Sequence, residues 1–230
     1  MKTLGLIGGI GPESTIDYYR LLINGYREKM DGTSPSVIIN SVDLKRLLAW
    51  MNADEMSNVV DYLSAEIEKL YKAGADFGAL ASNTPHIVFA ELQERSPLPL
   101  ISIVEAACER VEELGLKTVA LLGTRFTMRA RFYPAVFEKA GTKLVLPSPD
   151  EQDYIHEKYM DELLNNKFLP ETRARLLQIA DDLKQRQGIE GVILGGTELP
   201  LLLRDEQHHG MPLLDTSKIH AARLVHELLR

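Results

Sequence analysis

Three short strand-end phrases recur at nearly one spacing, and this recurrence constrains the fold more than any other feature. Ile7-Gly8 and Leu122-Gly123 each close an apolar run, and Gly8 and Gly123 lie 115 positions apart. Ser82-Asn83-Thr84 follows one such run and Gly196-Thr197-Glu198 another, 114 positions from Ser82 to Gly196. Pro99-Leu100-Ile101-Ser102 is echoed by Pro212-Leu213-Leu214-Asp215 after 113 positions. These offsets are close to half of the 230-residue chain, as a duplication would give. The chain is therefore read as two similar halves, an arrangement that commonly sets a ligand site in the cleft between them.

Each half alternates strand-like and helix-like segments. Residues 4–7, 37–42, 77–81, 98–103, 118–122, 143–146, 191–194 and 211–214 are short and apolar on both faces, as buried parallel strands are. Residues 54–73 carry a helical stripe of Met56, Val59, Val60, Leu63, Ile67, Leu70 and Tyr71 that stops at Gly74. Residues 157–166 and 170–187 form a further helical pair, split by Pro170. Alternation of this kind predicts an α/β fold of two pseudo-symmetric Rossmann-like domains with parallel sheets and right-handed crossovers. The expected division is 1–97 with 210–230 as the first domain and 98–209 as the second.

Composition enters as a filter. Lys and Arg total 26 against 33 Asp and Glu, a net charge of −7, and no basic run is present. That argues against nucleic acid or an anionic membrane surface as the main partner. No apolar stretch reaches the ~18–20 residues that a membrane span needs. The first residues run directly into a strand with no secretory pattern, so the expected compartment is the cytoplasm. Cys108 is the single cysteine, which excludes an internal disulfide and a thiolate-rich metal site. The six histidines show no HExxH or comparable spacing, so no metal is expected.

Chemistry in parallel sheets gathers beyond the carboxyl ends of strands, and four loops stand there. Gly8-Gly9-Ile10-Gly11-Pro12-Glu13-Ser14-Thr15 joins a strand to a helix whose first N–H groups, at Ser14 and Thr15, can meet an anion. It lacks the third glycine of a dinucleotide fingerprint and the Gly-Lys-Ser/Thr of a phosphate loop. In Ser82-Asn83-Thr84-Pro85-His86, Asn83 and Thr84 offer donors and acceptors to a carboxylate or ammonium; they could equally cap a helix. In Gly123-Thr124-Arg125-Phe126-Thr127-Met128, Thr124 and Thr127 can donate hydrogen bonds, to a ligand or within a cap. In Gly195-Gly196-Thr197-Glu198-Leu199-Pro200, Thr197 can serve a ligand or a helix, and Glu198 can act as a base or complement a helix dipole.

These loops, with Ser41-Val42-Asp43, Phe132-Tyr133, Asp215-Thr216 and His220, resemble the aspartate/glutamate racemase superfamily in order and over nearly the whole chain. The resemblance implies proton transfer at the Cα of a small, often acidic, amino acid, no cofactor, a homodimer, and a site between two domains. In that family one cysteine opens the Asn-Thr-x-His motif and a second stands between Gly and Thr-Glu, and the two work on opposite faces of the substrate Cα. Here those positions hold Ser82 and Gly196. A serine hydroxyl needs a neighbouring base where a thiol near pKa 8.5 does not, and glycine offers no group at all. Carried over, the resemblance makes Ser82, Glu198 and position 196 the catalytic set. Gly11, Thr15, Asn83, Thr84, Thr124, Thr127 and Thr197 become the substrate shell. Lys45, Arg46, Arg125 and Lys167 are the candidate cations for a distal carboxylate.

Three readings follow. One is a racemase-like enzyme using non-cysteine proton transfer through Ser82, His86, Glu198 or water. Another is a lyase or decarboxylase acting on a related acid with one-sided proton transfer. The third is an amino-acid-binding protein that has lost catalysis. If only a base is missing, Gly196→Cys restores racemisation.

Overall fold

The computed structural model describes residues 2–230, and the chain divides into two compact units, 1–103 with 220–230 and 104–219. In the first unit the order is β1 (Thr3–Gly8), α1 (Pro12–Lys29), β2 (Ser36–Ser41), α2 (Leu44–Asn52), α3 (Met56–Lys72), β3 (Phe77–Leu80), a 3-10 turn (Thr84–Val88), α4 (Phe89–Arg95) and β4 (Leu100–Ile101). The strands form one parallel sheet in the order β2-β1-β3-β4.

Next come α5 (Ile103–Glu113), β5 (Thr118–Gly123), α6 (Arg125–Arg129), α7 (Phe132–Lys139), β6 (Lys143–Val145) and α8 (Pro149–Asp161). A 3-10 turn (Leu163–Asn165), α9 (Pro170–Gln187), β7 (Gly191–Gly195), α10 (Leu199–Leu202), β8 (Gln207–His208), β9 (Met211–Asp215) and α11 (Thr216–Leu228) complete the chain. The second sheet runs β6-β5-β7-β9, all parallel, with β8 added antiparallel to β9. Read against the first, its strands correspond one to one: β5 to β1, β6 to β2, β7 to β3 and β9 to β4. These are the strands that carry the repeated phrases, so the two-domain α/β expectation stands.

The unit limits, 103/104 and 219/220, lie 6 and 10 residues beyond the expected 97/98 and 209/210. Hydrogen-bonded pairing is the reason. β4 pairs with β3 in the first sheet, and β9 pairs with β7 in the second, so 98–103 stays with the first unit and 211–215 with the second. The small strand β8 is the element that apolar patterning misses, because Gln207 and His208 are polar and pair at a sheet edge.

Local chemistry sets the helix starts. Pro12, Pro149 and Pro170 each occupy a first turn, where a missing N–H costs nothing. Asp43 caps α2, and Ser148 with Glu151 forms a reciprocal capping box at α8. β3 and β7 are buried along their whole length, so their backbone groups are satisfied by neighbours on both sides and their C-terminal loops start inside the protein. The core of the second unit packs Leu122, Met128, Ile155, Tyr159, Leu176, Ile179, Leu194 and Leu199 together. Among the described residues no helix is long and apolar enough to cross a membrane.

Candidate active site

The two loops that follow β3 and β7 carry buried polar residues, and each is backed by its own unit. In the first unit Ser82 and Asn83 are buried and Thr84 is partly so. Asn83 occupies the position before the 3-10 turn but makes no side-chain cap; its carbonyl accepts the His86 N–H at 2.9 Å. The capping explanation of Asn83 therefore does not describe its side chain.

His86 and His220 stand behind this loop. The His86 ring stacks on Phe89 with centroids 4.7 Å apart, and its Nε2 accepts the Ile103 N–H at 3.3 Å. Its Nδ1 is turned to the carbonyls of Ser82 and Asn83 without a well-formed hydrogen bond. Burial, and then the neighbouring His220, push its pKa down to about 3. His220 accepts from the Tyr18 hydroxyl at Nδ1 (2.9 Å), and its Nε2 donates to the Ile101 carbonyl at 3.0 Å. Burial holds it at about 4. Both imidazoles are neutral and turned to partners that fix β4 and the loop, so His86 is not set up as a base for Ser82.

The glycine loop uses its own polar groups to keep its shape. Thr15 accepts the Gly9 N–H at 2.9 Å and donates to the Gly11 carbonyl at 3.1 Å, and Ser14 donates to the same carbonyl at 2.8 Å. The Thr15 N–H also goes to that carbonyl, at 3.2 Å, so it is a helix donor and not a group aimed at an anion. Gly9 is glycine for two reasons: its φ is +82°, and a Cβ there would lie 2.4 Å from Ser41 Oγ.

In the second unit Thr124 caps α6 by accepting the Thr127 N–H at 3.2 Å, and the two hydroxyls lie 3.2 Å apart. Thr127 is fully buried beneath β5, where a Cβ on Gly123 would come within 3.0 Å of its methyl. The hydroxyls sought as ligand donors at 15, 124 and 127 thus each have a structural use.

The loop Gly196-Thr197-Glu198 is built differently. All three residues are buried, Thr197 and Glu198 each to 2% exposure. Glu198 Oε2 accepts the Thr197 hydroxyl at 3.1 Å and a very short hydrogen bond from the phenol of Tyr159, on α8. The Tyr159 oxygen in turn accepts the Glu198 N–H at 3.4 Å. Burial first, and the Glu198 carboxylate second, hold the Tyr159 hydroxyl well above the ordinary phenol range.

Tyr159 also explains the glycine at 196. A Cβ added there would lie 2.4 Å from its Cε2, 2.9 Å from its Cζ and 2.9 Å from its hydroxyl oxygen. The ring is packed in the core of its unit, so moving it aside would disturb that packing. Gly196→Cys is therefore not the simple restoration of a base that the sequence suggests, because the side chain has no room beside Tyr159. Tyr159 is the group that sequence reading missed. It reads as one more apolar position of a helix, and only the glycine at 196 hints that something fills that place.

The remaining candidates lie on other elements. Cys108 is buried in α5, and burial with Glu112, Glu109 and Glu105 pushes its thiol up to about 11, which makes it an inert core residue. Lys45, Arg46 and Lys167 are exposed; Arg46 lies over the rings of Trp50 and Tyr62. Arg125 is exposed and pairs with Asp153 at 3.2 Å. Asp181, His208 and His209 bring three potential ligand atoms within 4.8 Å of one another, a cluster that no short motif reveals because its members come from α9 and the β8–β9 edge.

Two duplicated parallel α/β units with buried polar residues at the ends of their third strands form the fold shared by the solved racemase-type structures. The chain belongs to the Asp/Glu/Hydantoin racemase family, whose profile matches residues 7–224. It is 25% identical over 233 residues to the broad specificity amino-acid racemase RacX of Bacillus subtilis (strain 168), covering 93% of this chain and 92% of that protein. Among solved structures, a proposed Asp/Glu racemase from Yersinia pestis superposes over the full length of both chains with TM-score 0.91 and 31% identity. An aspartate racemase homologue from Pyrococcus horikoshii OT3 does so with TM-score 0.84 and 33% identity.

Proposed function

We propose that this protein is a cofactor-independent isomerase that moves a proton at the Cα of a small amino acid of the aspartate/glutamate type, without cysteine. The supporting observation is that the family profile spans residues 7–224, while Ser82 and Gly196 stand where the resemblance places the family's thiols. On the family resemblance, the reading assigns Ser82, Asn83, Thr84, Gly196, Thr197 and Glu198 to the substrate. Asn83, Thr84 and Thr197 hold its α-carboxylate and α-ammonium groups, with Gly11 contributing backbone. Ser82 occupies the first acid–base position. On the same family grounds the protein works in the cytoplasm as a homodimer.

The test is deuterium incorporation at Cα in heavy water, with each enantiomer of aspartate and glutamate and then a wider panel, followed by NMR and chiral chromatography. Incorporation with inversion supports the reading. A mass change of the substrate would point to a lyase or decarboxylase instead. Thermal stabilisation by an amino acid without any exchange at high enzyme concentration would mark a binding protein.

A further inference from the structure

We propose that the hydroxyl of Tyr159 and the carboxylate of Glu198 together replace the missing side chain at position 196, the phenol relaying protons between the substrate Cα and Glu198. The proposal rests on the function proposed above, which makes position 196 part of the substrate loop. Its own basis is geometric. The Tyr159 ring edge lies 2.4 Å and its phenol oxygen 2.9 Å from where a Cβ of residue 196 would stand, so the ring and its hydroxyl together fill the space a side chain there would use. It is bonded to Glu198 on the same loop. Glu198 is two residues along from position 196, and its Oε2 is further held by Thr197. A buried carboxylate, two hydroxyls and a glycine that makes room for one of them form a built site at the end of β7.

A turn does not account for the glycine in this arrangement. The backbone at 196 does not adopt a positive φ, so the glycine is required by the Tyr159 ring and not by a turn. A buried Tyr–Glu pair is weak evidence for stability, since packed apolar side chains of like volume serve a core as well. A carboxylate that can receive a proton through a hydroxyl is, by contrast, what a loop without a thiol lacks.

The step balances. When the substrate gives up its proton on this side, the Cα–H bond breaks and its electron pair stays on carbon, delocalised into the substrate carboxylate. The phenol oxygen takes that proton while its original proton passes to Glu198 Oε2. One Oη–H bond breaks, one Oη–H and one Oε2–H bond form, and the negative charge passes from Glu198 to the substrate. Delivery is the reverse: the phenol protonates the carbanion as Glu198 returns its proton. The relay avoids a free phenolate, which the buried site disfavours. A group fixed on one side of Cα reaches the hydrogen of one enantiomer only, so only one enantiomer is deprotonated through Tyr159.

The test compares the full-length wild-type protein with Tyr159→Phe and Glu198→Gln, measuring Cα deuterium incorporation separately from each enantiomer of the substrate identified above. Tyr159→Phe keeps the ring and removes the relay. Glu198→Gln keeps an acceptor for the phenol and removes the proton sink, and it decides the matter should Tyr159→Phe fail to fold. Exchange from one enantiomer falls at least ~100-fold in either variant. Exchange from the other persists, inversion is lost, and thermal stabilisation by substrate is retained. Wild-type rates with both enantiomers, or an equal loss from both, would overturn the relay while leaving the proposed function in place. Absence of exchange in the wild type would overturn the proposed function, and the relay with it.

Discussion

The two units share a strand order, yet they support the loops after their third strands by different means. Behind Ser82-Asn83-Thr84 stand His86 and His220, both neutral and engaged with the backbone of β4 and its neighbours. Behind Gly196-Thr197-Glu198 stands a phenol bonded to a carboxylate. The first unit uses buried imidazoles to hold backbone. In the second, a titratable pair enters the loop itself and displaces the side chain of residue 196. Duplicated frames thus constrain where a site forms without fixing which groups fill it.

The largest expected effect of this difference is on acid stability. His86 and His220 have folded pKa values depressed from 6.5 to about 3 and about 4. A base that is harder to protonate when folded lets the unfolded chain bind more protons. Its stability contribution is therefore present above 6.5 and is lost as the pH falls from 6.5 toward the folded values. Each pH unit in that window removes about 1.4 kcal/mol per histidine. Moving from pH 7 to pH 4.5 should cost the first unit on the order of 5 kcal/mol. Urea unfolding at the two pH values, with hydrogen exchange resolved along the chain, checks this. Earlier or equal loss of protection in the second unit would break the comparison.

A smaller effect is expected at the paired loop positions. Gly196→Cys forces a side chain against the ring of Tyr159 and should destabilise by about 1–3 kcal/mol through overpacking. It should yield no racemisation. Ser82→Cys, a swap of similar volume, should stay within about 1.5 kcal/mol. Thermal unfolding of the two variants, with chiral analysis of aspartate and glutamate, measures the contrast. An undisturbed Tm for Gly196→Cys would mean that Tyr159 can move aside.

Much of this frame is legible in the sequence, for a physical reason. The repeated phrases end buried parallel strands, where small residues and strand-breaking loops are demanded by the sheet, so β1 with β5, β3 with β7 and β4 with β9 could be matched before any coordinates. The loops at 82–84 and 196–198 are visible on the same ground. What the sequence conceals is set by contacts between distant segments. Tyr159 lies 37 positions before Gly196 on a helix whose pattern is satisfied by calling it core, and Asp181 reaches His208 from 27 positions away. The hydroxyls of Thr15, Thr124 and Thr127 are ambiguous in the sequence, because a structural hydroxyl and a ligand-binding one have the same identity and position in a strand-end loop; the structure shows their structural use.

The smallest expected effect compares two helix starts at matching places, α2 after β2 and α8 after β6. Asp43 alone caps α2, accepting the Lys45 N–H at 2.9 Å and the Arg46 N–H at 3.4 Å, and it is exposed. At α8 the Ser148 side chain accepts the Glu151 N–H, while Glu151 accepts the Ser148 N–H at 2.8 Å and pairs with Arg186 at 2.9 Å. Burial works against the Glu151 carboxylate, but hydrogen bonds from Ser148 and the charge of Arg186 outweigh it and lower its pKa. A depressed carboxylate contributes stability above its unfolded pKa and loses it as the pH falls through the folded one. Ser148→Ala should cost about 1 kcal/mol at pH 7, and Asp43→Ala, a single exposed cap, the lower part of the ~0.5–2 kcal/mol range. Glu151→Gln should weaken α8 at pH 7 and matter progressively less below the ordinary Glu value of about 4.3. Urea midpoints for the three variants across that pH range test the ordering. Equal costs at both helices would show that the reciprocal box adds nothing to a single cap here.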